Sequence, residues 1–236
     1  MKRYRIIKAL LVPVVLALLV TSCYNKQDDT ELAELAVTGT VYDTEFDFLQ
    51  YNTFAIKDSV GLVHDYLTDE QVADFYEEGG ANDKIRAYWK DAFVKMGYQY
   101  VEDSTFDFGI NPTVVMVQNS ATLFYGGYYY GYGYWGWYGW YPPPVYYPPY
   151  ALEVNYSTGS IRIEMADGNS VRDYWAWLDG KTPEEIEQAD PSEIPPVIIR
   201  WIAAINGVAT QNAGYNGETA ENGFQEAIDQ SPYLKK

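Results

Sequence analysis

The sequence predicts an α+β domain, an antiparallel or mixed sheet with helices packed on it as a two-layer sandwich. Three observations carry this expectation. Val37 to Tyr42 and Tyr51 to Ile56 have the alternation of β-strands. Ile85, Tyr88/Trp89, Ala92/Phe93 and Met96 recur at helical spacing and form one apolar stripe. Further strand-like runs follow that helix, and helix signals close the chain.

The elements follow in order. Asp47-Phe48 marks a turn between the first two strands. Thr68 with Gln71 fits a capping box for a short helix through Glu78. Asn82 is expected to cap the next helix, whose stripe is core, and Gly97 to supply its left-handed stop. Tyr98 to Val101 and Pro112 to Val117 read as strands around a loop at Asp107-Phe108-Gly109. Leu152 to Met165 and Val171 to Trp177 read as the arms of a hairpin turned at Asp167-Gly168. Thr182-Pro183-Glu184-Glu185 supplies a cap, a Pro at the first helical position and early acids, opening a short helix. Pro195-Pro196 introduce Val197 to Thr210, apolar nearly all round and expected as a buried helix. Phe224 to Gln230 reads as a last helix, stopped by Pro232.

The first 22 residues have the pattern of a lipoprotein signal peptide. Lys2, Arg3, Arg5 and Lys8 precede an apolar run from Ala9 to Val20, interrupted by Pro13 and too short to span a bilayer. The run ends in Val20-Thr21-Ser22-Cys23, which looks like a bacterial lipobox, and Cys23 is the chain's one cysteine. Cleavage before it would remove four cations and leave 12 basic against 33 acidic residues, a formal charge of −21. Acyl chains such as palmitate on Cys23 would anchor the chain, at about 0.8 kcal/mol per buried methylene. Residues 23–36 read as an acidic tether, and Lys26-Gln27-Asp28-Asp29 resembles an export tag of Bacteroidetes surface lipoproteins. The expected place is therefore the outer membrane, facing the periplasm or the cell surface. Residues 37–236 form the expected domain.

Composition excludes several functions. The 236 residues carry 16 Lys+Arg against 33 Asp+Glu, so no basic surface offers itself to nucleic acid. One Cys and one His leave no disulfide framework or Cys/His zinc cluster, and little scope for a nucleophile–His triad. No phosphate-loop, dinucleotide or zincin motif occurs. No cofactor, metal site or catalytic residue is expected.

Certain words in the chain are recognisable together. Tyr42-Asp43, Asp47-Phe48, Tyr51-Asn52-Thr53-Phe54-Ala55, Met96-Gly97-Tyr98, Asp107-Phe108, Gly159-Ser160-Ile161-Arg162-Ile163, Asp167, the stretch from Trp175 to Gly180, and Gln230-Ser231-Pro232-Tyr233-Leu234 resemble the DUF4136 family of bacterial lipoproteins. The resemblance spans roughly residues 37–234 and departs from the family pattern at Trp175-Ala176-Trp177, a presumed strand end. It implies a compact α+β sandwich on a lipid anchor and assigns no chemistry.

Residues 124–150 are the most unusual stretch: 15 aromatics, six Gly, five Pro and Val145. Gly and Pro at this density oppose a helix or a central strand, and eleven Tyr hydroxyls oppose a packed core. The stretch reads as an insert between neighbouring strands, either a passive loop or a contact surface for a glycan, a membrane or an envelope protein. Trp135, Trp137 and Trp140 are its candidate anchors, with Tyr138 and Tyr141 beside them.

Function is thus expected to be that of a non-enzymatic binding or envelope-structural lipoprotein. The alternative is a lipid-anchored, glycan-directed hydrolase using an Asp/Glu pair. Glu184, Glu185, Glu187 and Asp190 read as a solvated face, and Asp107, Asp167 and Asp173 as turn chemistry. Asn216-Gly217-Glu218 and Glu221-Asn222-Gly223 read as flexible loop rather than a calcium site. His64 reads as a surface residue ending a strand.

Overall fold

The structure is a computed structural model describing residues 38–116, 121–124, 127–129, 145–147, 153–156, 159–207 and 213–236. Three long antiparallel strands form its centre: β5 (Phe108–Met116), β10 (Ser160–Asp167) and β11 (Val197–Ile205), with Ile163 opposite both Pro112 and Ala203. Two strands in succession extend each outer side of this trio. Along β5 lie β2 (Thr53–Ile56) and then β3 (Gly61–His64), both parallel to it. Along β11 lie β8 (Val145–Tyr147), parallel, and β1 (Thr38–Tyr42), antiparallel. Beyond β2 comes β4 (Gln99–Tyr100), and beyond β8 comes β7 (Gly127–Tyr129), completing a nine-stranded mixed sheet. The strands β6 (Ala121–Phe124) and β9 (Glu153–Tyr156) pair separately.

Pro112 lies inside a central strand, where a missing N–H ordinarily breaks the ladder. Here β5 exchanges partners: Ile110 is the last residue opposite β2, and Thr113 the first opposite β3. The Ile110 carbonyl accepts from Lys57 N–H on that side, so two residues later the proline nitrogen faces the gap between strands. The expected loop at Asp107-Phe108-Gly109 is shorter than its sequence suggests, because Phe108 and Gly109 already pair with β2 and β10.

One sheet face carries the helices α1 (Asp69–Tyr76), α2 (Ala81–Lys95) and α5 (Ala213–Asp229). Trp89 and Phe93 of α2 and Phe224, Ala227 and Ile228 of α5 bury themselves against Phe54, Phe108, Ile163 and Trp201. Thr68 caps α1 with both bonds of the capping box. Gly80, rather than the expected Asn82, is the N-cap of α2. Asn82 is the second residue of the helix, buried, where its Oδ1 accepts from Val60 N–H at 2.8 Å and ties the helix to the loop before β3. Gly97 does adopt a left-handed conformation, with φ 102°.

Three expectations are corrected in the C-terminal half. Val197 to Ile205 is a strand, not a helix. It is apolar but for Arg200 because both sheet faces are buried here, and because its alternation changes phase. Ala166 opposes Ile199 while Met165 opposes Trp201, so Arg200 is the extra residue of a bulge. Before it, Val197 and Ile199 point into the core on the face away from α2; after it, Trp201, Ala203 and Ile205 point into the core beneath α2 and α5.

Asp167-Gly168 turns no hairpin, and Val171 to Trp177 is no strand. Asp167 is the N-cap of helix α3 (Gly168–Leu178), its Oδ1 accepting from Ser170 N–H at 3.1 Å. Gly168 is absent from the positive-φ glycines; its hydrogen is needed because a Cβ would lie 2.2 Å from the Phe106 carbonyl oxygen. Val171, Tyr174, Trp175 and Leu178 form the helical stripe, packing on the face opposite α2 with Ala55, Ala166, Val197 and Ile199. The short helix α4 (Pro183–Glu187) has its capping box. Helix α5 begins at Ala213, eleven residues before its expected start, so Asn216 to Gly223 is helical rather than loop. Gly223 allows this, since a Cβ there would meet Ile205 Cγ2 at 2.4 Å.

Part of the aromatic insert also belongs to the sheet. Val145, its one aliphatic residue, is buried beside Val197, and Tyr129 is its partner across the β7–β8 pair.

Candidate functional site

The bulge at Arg200 organises a polar cluster at one end of the sheet. Its Nη1 lies 2.6 Å from Asp43 Oδ2, just past β1, and its Nη2 lies 3.8 Å from Asp167 Oδ2, at the end of β10. The guanidinium stacks on Phe46, 4.3 Å from the ring centroid. Tyr51, before β2, donates its hydroxyl to Asp167 Oδ2 at 2.6 Å. Burial, and then the Asp167 carboxylate, push the Tyr51 hydroxyl far above its ordinary pKa, so it remains a donor. One buried carboxylate thus caps α3, accepts from Tyr51 and faces Arg200.

Words scattered through the sequence meet around this cluster. Asp107 Oδ2 accepts from the N–H groups of Asn52 at 2.7 Å and Thr53 at 2.9 Å. Burial opposes the charge, yet these bonds hold Asp107 below the usual carboxylate range. Tyr42 stacks on Tyr233 with centroids 3.8 Å apart. Trp201 Nε1 donates to Ser231 Oγ at 2.9 Å, and Lys236 N–H donates to the Met96 carbonyl at 3.0 Å. A Cβ on Gly97 would lie 2.9 Å from Lys236 Cβ, so the glycine also makes room for the docked C-terminus. The motif residues fasten β1, β2, β10, α3 and the C-terminal turn to one another.

A second polar group lies on the face that carries α3. Period-two alternation puts Asn111 and Thr113 of β5 and Ser160, Arg162 and Glu164 of β10 on that face, with Lys57 just beyond β2. All six are buried. Glu164 Oε1 is 3.2 Å from Arg162 Nε, and its Oε2 accepts from Asn111 Nδ2 at 3.2 Å. Burial pulls the Lys57 amine down to about 8, against the opposing pull of Glu164. Lys57 helps line a cleft of about 350 Å³ with Asp58, Glu102, Asp103, Phe106 and Trp175. Sequence reasoning missed Arg162, Glu164 and Lys57; alternation in Ser160 to Met165 was the available signal, and it resembles that of a solvated strand.

Cys23, Trp135, Trp137, Tyr138, Trp140 and Tyr141 lie outside the described residues, as do the signal segment and the tether. Of the acids around α4, Glu185 completes the box on Thr182, and Asp190 caps the turn at Ser192. Asp173 is exposed on α3, away from the cluster that holds Asp167. His64 is exposed at the end of β3. Among the described residues no helix is long and apolar enough to cross a membrane.

These features define a mixed-sheet α+β domain whose motif residues act as fasteners, with two short strands of the aromatic stretch paired at one edge of the sheet. The chain belongs to the DUF4136 family, described as a domain of unknown function, whose family model matches residues 38–233. It is similar in structure to a DUF4136 family protein from Bacteroides thetaiotaomicron, with a TM-score of 0.54 and 24% identity over 85% of this chain and 97% of that one. That likeness shows a shared fold. No curated protein matches the chain.

Proposed function

We propose that this protein is a lipid-anchored outer-membrane lipoprotein that binds a glycan or an envelope protein through its aromatic insert. The carrying observation is the pairing of Tyr129 with Val145, which closes the chain around residues 130–144. That segment contains nothing but Tyr, Trp, Gly and Pro. Its downstream end is tied to the domain by buried Val145. Aromatic side chains offer rigid contact area at low entropic cost. A glycan-directed hydrolase would need two carboxylates facing each other across a sugar. Asp43 and Asp167 instead approach the same guanidinium, which favours the binding reading.

Two measurements test the proposal on the full-length chain. Mass spectrometry of the membrane-extracted protein is expected to find acylated Cys23, with a Cys23→Ser form left unprocessed; an unmodified soluble chain overturns the anchor. Replacing residues 130–144 by a short turn, or Trp135, Trp137 and Trp140 by Ala, is expected to keep the melting temperature and lose capture of peptidoglycan fragments or envelope protein. Unchanged capture overturns the binding role. Removing all of 124–150 also takes out Val145 and both strands of the pair, so that larger deletion is expected to destabilise.

A further inference from the structure

A groove of about 450 Å³ lies where the C-terminal halves of α2 and α5 meet the last residues of the chain. It shares no lining residue with the aromatic insert, the Arg200 cluster or the polar face under α3. Tyr88, Asp91, Ala92 and Lys95 recur at three- and four-residue steps and so fall on one side of α2, and Gln225 and Ile228 do the same on α5. The lining divides by polarity. Ala92, Met96 and Ile228 are buried and make an apolar floor, while Asp91, Lys95, Gln225, Lys235 and Lys236 are exposed and make a charged rim. The chain closes the end of α2 itself: the carbonyls of Ala92, Phe93, Val94 and Met96 accept from the N–H groups of Met96, Tyr98, Gly97 and Lys236. The rim lysines are committed to different degrees. Lys236 Nζ donates to Asn52 Oδ1 at 2.8 Å and lies 5.0 Å from the Tyr98 ring centroid. Lys235 reaches Asp229 only at 3.9 Å, both side chains being about half exposed, and Lys95 has no ion pair among the described residues. Three cations thus gather over an apolar floor in a chain that carries 33 acids.

We propose that this groove binds a small free carboxylate with a short apolar body, its head between Lys95 and Lys235 and its body along Ala92, Ile228 and the Tyr88 ring. Size, charge and polarity each narrow the class. The volume has room for a small molecule but not for a helix or strand of a protein partner. Tyr88 and Lys95 are two helical turns apart, about 10 Å, which sets the length of the body. The lysines select an anion, while Asp91 and the negative end of the α2 dipole penalise a second negative charge, so a monoanion is preferred to a phosphate dianion. A floor of Ala92, Met96 and Ile228 has no side-chain hydrogen-bonding group for a sugar ring, which would lose its water there without replacement. Burial first, and then the charges of Glu221 and Asp229, raise the Tyr88 hydroxyl above its ordinary pKa, so it is a donor and not a further anion in the groove.

The test is photolabelling of the full-length protein with octanoate carrying a diazirine near its tail, the adducts being mapped by peptide mass spectrometry. Adducts are expected to concentrate on the α2 and α5 peptides that hold Tyr88, Ala92 and Ile228, and to be displaced by excess plain octanoate. The matching alcohol and amine probes, equal in apolar body but neutral or cationic, are expected to label these peptides at least about five-fold less. Lys95→Gln with Lys235→Gln is expected to lower octanoate labelling about five-fold at unchanged melting temperature, the size two partly exposed ion pairs give. Lys84→Gln, on the same helix but outside the groove, is expected to change nothing. Gln225→Trp keeps the lysines but fills the groove, and is expected to abolish the labelling. Adducts spread over the surface, equal yields from the alcohol or the amine, or yields unmoved by the paired lysine substitutions overturn the proposal.

Discussion

Asp167→Ala removes three functions at once, and the structure supplies a magnitude for each. Loss of the N-cap on α3 costs about 1 kcal/mol. The Tyr51 hydroxyl, buried and deprived of its acceptor, adds about 1–3 kcal/mol. Arg200 retains Asp43 at 2.6 Å, so its loss is the smallest share. The expected total is about 3 kcal/mol, or a fall of about 6–12 °C in Tm for a domain of this size. Asp167→Asn separates the contributions: asparagine caps as well as aspartate, but its Nδ2 would face the Arg200 guanidinium, so an intermediate loss is expected. Urea denaturation followed by tryptophan fluorescence, with a constant m-value, measures all three forms. A double-mutant cycle of Asp167→Ala with Tyr51→Phe is expected to show coupling of at least about 1 kcal/mol. A loss below about 1 kcal/mol for Asp167→Ala, or additive cycle energies, would refute the idea that this carboxylate is the shared partner.

Gly168→Ala places a Cβ against two backbone carbonyls, at 2.2 Å from Phe106 and 2.7 Å from Asp107, and is expected to cost about 1–3 kcal/mol in the same denaturation assay. Gly217→Ala in α5, where nothing lies within 4 Å, is expected to be neutral or stabilising; equal losses at both glycines would contradict the close-approach argument. Lys57 gives a pH signature. Its folded pKa of about 8 lies below the unfolded value of 10.5, so between these values the unfolded chain binds the extra proton and stability rises with pH. Lys57→Met is expected to be the more stable protein at pH 7 and to lose that advantage towards pH 10. Taking the difference between the two proteins cancels the buried tyrosines, whose ionisation destabilises both at high pH. A pH-independent difference would show that Lys57 is not held in its charged form at a cost.

Local chemistry was legible wherever a residue acts on its immediate neighbours. Thr68 and Thr182 cap their helices through boxes written within four residues, Gly97 ends α2 in the left-handed conformation, and the stripe from Ile85 to Met96 faces the core. These depend on backbone geometry that a few consecutive residues define. Asp167-Gly168 was legible as punctuation but not as a helix start, because either reading satisfies the dipeptide; what decides is the Phe106 carbonyl 2.2 Å from where a Cβ would stand. Val197 to Ile205 lost its strand signature because two cores cover it and the bulge at Arg200 shifts its phase, both consequences of pairing with β10. The same bulge brings Arg200 to Asp43, 157 residues away, and no local pattern encodes such a meeting. Charges at Arg162 and Glu164 look like the wet side of a strand in the sequence, and only the burial of both sheet faces turns them into an interior ion pair. Sequence determines period and punctuation through neighbouring dihedrals; which face is dry, and which distant residues share it, depends on long-range pairing that exists only in the folded chain.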